Sequence, residues 1–165
     1  MLRMRTIWMV DMNRPKIFHL IHMAHRALFR AADRLLADRH GITAAQNALL
    51  LYLEKNEGAT MGAVATAIGL KNAATSGLVD RMESKGLIAR RPSEQDRRSF
   101  ELVLLSKGRA IAGESHALIH ATNDHLLEGF SEAEQETIAR FLETVIAKSD
   151  AYGKDTIKLA EKQSA

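Results

Sequence analysis

Four arginines between positions 90 and 98, namely Arg90, Arg91, Arg97 and Arg98, are the first residues that could do chemistry. A guanidinium stays charged at any physiological pH and presents its donors in a fixed fork, which suits phosphates and base edges. These arginines lie in a segment, Lys71 to Arg109, that holds nine Lys/Arg against five Asp/Glu, while the whole chain carries only +3. The positive charge is therefore gathered in one stretch, as on a surface that meets nucleic-acid phosphates. The seven histidines come next. His116 and His120 are four apart, share a helix face and could chelate a divalent ion. His116-Ala117-Leu118-Ile119-His120 lacks the glutamate of a metalloprotease helix, and Asn47-Ala48 offers no further ligand. Surface or pocket histidines are the preferred reading, and no metal or cofactor is expected.

Other chemistries find little footing. The chain contains no GxxxxGK[ST], GxGxxG or GxSxG motif, so nucleotide cradles and a nucleophile elbow are not indicated. Scattered Ser, His and Asp residues suggest no triad, and an enzyme is not expected. Cysteine is absent, which removes disulfides, thiolate ligands and thiol redox sensing and suits a reducing cytoplasm. The longest apolar run, Ala48 to Leu53, falls far short of the ~18 residues that span a bilayer. Met1 to Asn13 lacks the core and cleavage site of a signal peptide. A soluble, cytoplasmic protein is the expectation.

The elements that must position these residues can be read from periodicity and caps. Apolar Ile17, Ile21, Ala24, Leu28, Ala32 and Leu35 recur at helical spacing and predict a first helix from Pro15 to about Asp38, ended by Gly41. Thr43-Ala44-Ala45-Gln46 is a capping box that opens a second helix with Leu49, Leu50 and Leu53. Thr60 caps a short third helix, and a fourth runs from Asn72 to Ser84. Leu87–Arg91 and Phe100–Leu105 read as strands of a hairpin around the polar loop Pro92–Ser99. Ser106 is expected to cap a long helix to Leu127. Ser131-Glu132-Ala133-Glu134 opens the last helix, which carries Ile138, Phe141, Leu142, Val145 and Ile146, before a polar tail from Ser149.

On a wheel centred on Leu78, the fourth helix buries Ala74, Leu78 and Met82. Its other face carries Asn72, Ala73, Ser76 and Asp80, small or polar residues that let a helix approach base edges in a major groove. Thr75 sits at the margin and could hold a phosphate. The fold class is mainly α with a small β-hairpin wing. Residues 1–165 form one domain, in which a winged helix-turn-helix lobe (42–105) is flanked by long helices (14–40 and 106–148). The apolar faces of those helices have too little local core to cover them, which pairing with a second copy would solve.

The middle of the chain resembles the MarR family of transcription regulators. The resemblance rests on Ile42-Thr43-Ala44-Ala45-Gln46, Thr60-Met61-Gly62-Ala63-Val64-Ala65, Leu78-Val79-Asp80-Arg81-Met82-Glu83-Ser84-Lys85-Gly86-Leu87-Ile88-Ala89-Arg90, Asp96-Arg97-Arg98 and Leu105-Ser106-Lys107-Gly108, in order and at family-like spacing. It implies a homodimer that binds double-stranded DNA at a palindromic operator and is often released by a small ligand. It further implies that Arg98 inserts in the minor groove and that Asp96 pairs with it. Arg90, Arg91 and Arg97 are then phosphate contacts. Gly77 and Lys71 depart from the family pattern, so base preference does not transfer.

The family's ligand pocket lies where the first helix meets the DNA-binding lobe, which brings in Phe18, His22, His25, Arg26 and Phe29. His25 falls beside Phe18 and Phe29 on the widened apolar face, with His22 at its edge. Aromatic walls with a cationic anchor suit an aromatic carboxylate. The expected function is a repressor released by a small aromatic acid. A metal-responsive regulator of the same fold is one alternative. A helical protein–protein adaptor is another, but it leaves the basic hairpin unexplained.

Overall fold

The computed structural model describes residues 16–93 and 100–163. The elements run α1 (Ile17–His40), α2 (Ala44–Lys55), β1 (Ala59–Thr60), α3 (Met61–Ala67), α4 (Asn72–Ser84), β2 (Ile88–Pro92), β3 (Phe100–Leu104), α5 (Ser106–Leu127) and α6 (Glu132–Gln163). The mainly helical class with a small β wing agrees with the sequence. Two units are distinguished, one ending at His116 and one starting at Ala117. Among the described residues, no helix is long and apolar enough to cross a membrane.

Side-chain chemistry at the element ends explains most boundaries in the first unit. Gly41 takes the left-handed conformation (φ 65°), and its N–H bonds back to the Ala37 carbonyl, so α1 stops there. The Thr43 box is complete: Thr43 Oγ1 accepts from the Gln46 N–H at 3.3 Å, and Gln46 Oε1 accepts from the Thr43 N–H at 3.0 Å. Thr60 Oγ1 caps α3 by accepting from the Ala63 N–H. Ser106 departs from expectation. It is the first helical residue of α5, and the Leu105 carbonyl accepts the first i→i−4 bond, from Arg109 N–H at 2.9 Å.

The sheet has the order β1-β3-β2, with both pairs antiparallel. The hairpin follows from the sequence pattern, whereas β1 does not. Two residues are too short to show alternation, and β1 exists because Ala59 pairs with Leu102 on β3. The core of the unit joins Leu49, Leu50 and Leu53 of α2, Val64 of α3, Val79 and Met82 of α4, and Ile88 and Leu102 of the sheet, all fully buried. Gly108 brings α5 hard against this core. A Cβ there would lie 2.1 Å from the Leu87 carbonyl oxygen and 3.2 Å from Leu50 Cδ2.

The second unit holds the end of α5 and all of α6, separated by Gly129 at φ 85°. The Ser131 N–H and hydroxyl both donate to Glu134 Oε2, at 2.8 and 2.6 Å. These bonds favour the ionised form and hold the Glu134 carboxyl below its ordinary range. α6 continues through the polar tail to Gln163. No proline follows Ser149 to stop it.

Candidate nucleic-acid interface

The fourth helix presents a low, polar outer face because of what its inner face must bury. Thr75, Leu78, Val79 and Met82 are its buried residues, while Ala74 is exposed. The buried stripe is therefore centred about 50° from Leu78, half a residue step. The true stripe has Val79 where Ala74 was expected. Thr75 is fully buried, and its hydroxyl donates to the Lys71 carbonyl at 3.2 Å. That corrects the expectation of a phosphate contact: its hydroxyl is already used and no solvent reaches it. Asn72 and Ala73 are exposed, and Ser76 and Gly77 are half-buried on the outer side. A side chain at Gly77 would meet only Arg81 Nη1, at 3.4 Å, so glycine leaves that part of the face shallow.

The register of the wing decides where its arginines go. Pro92 pairs with Phe100, Arg91 with Glu101, Arg90 with Leu102, Ala89 with Val103 and Ile88 with Leu104. Paired residues share a sheet face and successive residues alternate. Arg90 therefore lies on the face of Ile88, Leu102 and Leu104, and Arg91 lies on the other face with Glu101. Arg90 reaches α4, donating through Nη2 to Asp80 Oδ1 and through Nη1 to Glu83 Oε2. Its backbone N–H also donates to Glu83 Oε1 at 3.2 Å. The Asp80 hydrogen bond is the main cause of a raised Arg90 pKa, with both carboxylates adding to it.

This clamp gives two of the expected DNA contacts a partner inside the lobe. Asp80, expected on the base-reading face, is exposed and accepts from Arg90 through Oδ1. Arg90, expected as a phosphate contact, pairs through both ends of its fork with the carboxylates of Asp80 and Glu83. Together they fix the wing to α4. Glu83 is a second partner of Arg90, beyond the residues expected from sequence. Its signal is present as carboxylates three apart on one helix face, seven and ten residues before an arginine. Arg91 is exposed, as a phosphate contact needs to be. Asp96, Arg97 and Arg98 lie outside the described residues.

Further bonds tie α1, α4 and α5 together within the lobe. Lys85 Nζ donates to the Gly41 carbonyl at 2.6 Å, and Lys107 Nζ donates to the Lys85 carbonyl at 3.4 Å. The Ala44 N–H donates to Asp33 Oδ1 at 2.7 Å. Arg109 pairs with Glu57 at 3.0 Å. In the buried interior Ser115 Oγ lies 2.6 Å from Asn47 Oδ1 and 2.8 Å from the Ile111 carbonyl. These lysines and Arg109 belong to the basic segment, yet each has a partner within the lobe.

The expected ligand residues stand together on α1. The His25 and Phe29 rings are 4.4 Å apart, and His22, Arg26 and Phe18 are exposed. His116 Nε2–H donates to Glu54 Oε2 at 2.6 Å. Among the described residues, no three His, Cys, Asp or Glu side chains are grouped so as to hold a metal ion.

Residues 40–99 match the family model described as MarR family. The chain is 26% identical over 96 residues to the HTH-type transcriptional regulator BilQ of Clostridioides difficile (strain CD3). That match takes in 58% of this chain and spans 65% of the length of BilQ. Among solved structures, the chain is similar to the transcriptional repressor CouR bound to a 23-mer DNA duplex. There the identity is 27% and the TM-score 0.71, over 79% of this chain and 92% of that one. It is also similar to the reduced form of MarR from E. coli, at 26% identity and TM-score 0.70, over 80% of this chain and 97% of that one.

Proposed function

We propose, from the match of residues 40–99 to the MarR family model, that the chain is a MarR-family, sequence-specific regulator of transcription that binds a palindromic duplex operator as a homodimer. One observation carries the reading. A helix with a small, polar outer face (Asn72, Ala73, Ser76) is locked by the Arg90 clamp to a basic wing. That is what a helix entering a major groove and a wing reaching the next minor groove require. The structural neighbour CouR is itself held on a DNA duplex. Dimerisation is supported by the uncovered apolar side chains of α1: Phe18 is 89% exposed and Leu20 55%. Within the other unit, Ile146 of α6 is 75% exposed.

Duplexes selected from a random pool by the purified protein should contain an inverted repeat with half-sites about 10 bp apart. The complex should sediment with two 18.3 kDa chains per duplex. On such a duplex Arg98→Ala should cost about 1–3 kcal/mol of affinity and lower the salt slope by about one. If no duplex is enriched, the DNA reading fails. If Arg98→Ala binds as tightly as wild type, Arg98 is not the minor-groove residue.

The finer reading is a repressor that a small aromatic acid releases. Its support is the stacked His25–Phe29 pair beside Arg26, His22 and Phe18, aromatic surface next to cationic donors. Such a ligand releases DNA only by preferring the state that does not bind it. A panel of benzoate-type acids should raise the melting temperature and dissociate the operator, and His25→Ala should blunt both effects. No response to any acid counts against this effector class, and an equal response in the variant moves the pocket elsewhere. The metal-responsive alternative gains no support, since His116 is committed to Glu54.

A further inference from the structure

We infer that Phe100 is a DNA contact of the wing, an apolar one that packs on the sugars of the strand between the two grooves. The inference rests on the DNA-binding reading above. Phe100 is large, apolar and 57% exposed at the first position of β3. Its pairing with Pro92 puts it on the same sheet face as Ile88, Arg90, Leu102 and Leu104. The inner residues of that face, Ile88, Leu102 and Leu104, are buried, and Arg90 reaches from it to Asp80 and Glu83 on α4. Phe100 therefore continues the α4-facing side of the sheet outward, past the clamp, in the direction of the wing loop.

Nothing inside the lobe needs an aromatic ring there. The strand-facing core is complete at Leu102, which is fully buried, and Pro92 opposite Phe100 is itself exposed. A duplex that meets α4 with one groove and the wing with the next must carry one sugar–phosphate strand across the space between them. The ring and Pro92 border that space, with the exposed Arg91 beside them on the other face of β2. Deoxyribose carbons are the apolar part of that strand, and covering them removes apolar surface on both partners.

The selected duplex and a fluorescence-anisotropy titration at several salt concentrations test this. Phe100→Ala should bind about tenfold more weakly, the size of effect expected from losing part of a buried aromatic surface. Its slope of log affinity against log salt should match wild type, because no charge is lost. Phe100→Lys should steepen that slope by about one phosphate. Both variants should melt with wild type, since the ring is exposed. Wild-type affinity in Phe100→Ala, or a Phe100→Lys slope equal to wild type, overturns the contact while leaving the regulator reading intact. Absence of wild-type binding to any duplex overturns both together.

Discussion

Gly108→Ala should be among the most damaging single methyl additions to this fold, lowering stability by about 2–3 kcal/mol and the melting temperature by about 5–10 °C. The added Cβ would sit 2.1 Å from the Leu87 carbonyl oxygen. That oxygen cannot simply retreat, because it accepts the Leu105 N–H at 3.0 Å. Leu50 Cδ2, at 3.2 Å, blocks the other side and belongs to a fully buried residue. Alanine's better helix propensity returns up to about 1 kcal/mol, too little to offset the overlap. Gly113→Ala in the same helix is the control. Nothing lies within 4 Å of its added methyl, and the change should be neutral or mildly stabilising. Thermal denaturation of both variants decides the matter. Equal melting temperatures would mean that α5 does not pack on Leu87 as described.

Arg90→Ala should lose about a hundredfold in operator affinity at a folding cost of only about 1 kcal/mol. The small folding term follows from exposure, since Asp80 is 60% exposed and Glu83 39%, where solvent screens the pairs. The large binding term follows from position. Removing the guanidinium frees the wing from α4, so every contact the wing makes becomes looser at once. It also leaves Asp80 and Glu83 as unpaired negative charges on the helix proposed to meet DNA. Arg90→Lys should recover only part of the loss, because an ammonium cannot serve two carboxylates with the geometry of a fork. Anisotropy titrations separate this from a direct phosphate contact. A direct contact would give a modest loss with a salt slope reduced by about 0.9 and full rescue by lysine.

Much of the scaffold was legible because its ends are written in local chemistry. Thr43 with Gln46, Thr60, Gly41 and Gly86 mark boundaries through bonds or backbone angles that involve only near neighbours. What was hidden depended on partners distant in sequence. α4 offers Ala73, Ala74, Leu78, Val79 and Met82 as apolar positions, so two stripes half a residue step apart are nearly equal on a wheel. Packing chose the one containing Val79 and Thr75. The roles of Asp80 and Arg90 needed the strand register, which turns Arg90 toward α4 and Arg91 away. β1 needed β3 to exist at all.

The two hooks at the C-terminal end of α1, Asp33 to the Ala44 N–H and Lys85 to the Gly41 carbonyl, have a mechanical consequence. The 24 residues of α1 make a rod of about 36 Å, gripped at one end by the DNA-binding lobe and uncovered along most of its length. Such a rod is a cantilever. A rotation of about 5° at the grip carries the free tip through roughly 3 Å over that length. The same geometry works in reverse: a push of a few ångströms near Phe18 arrives at Lys85, and so at the end of α4, as a twist of a few degrees.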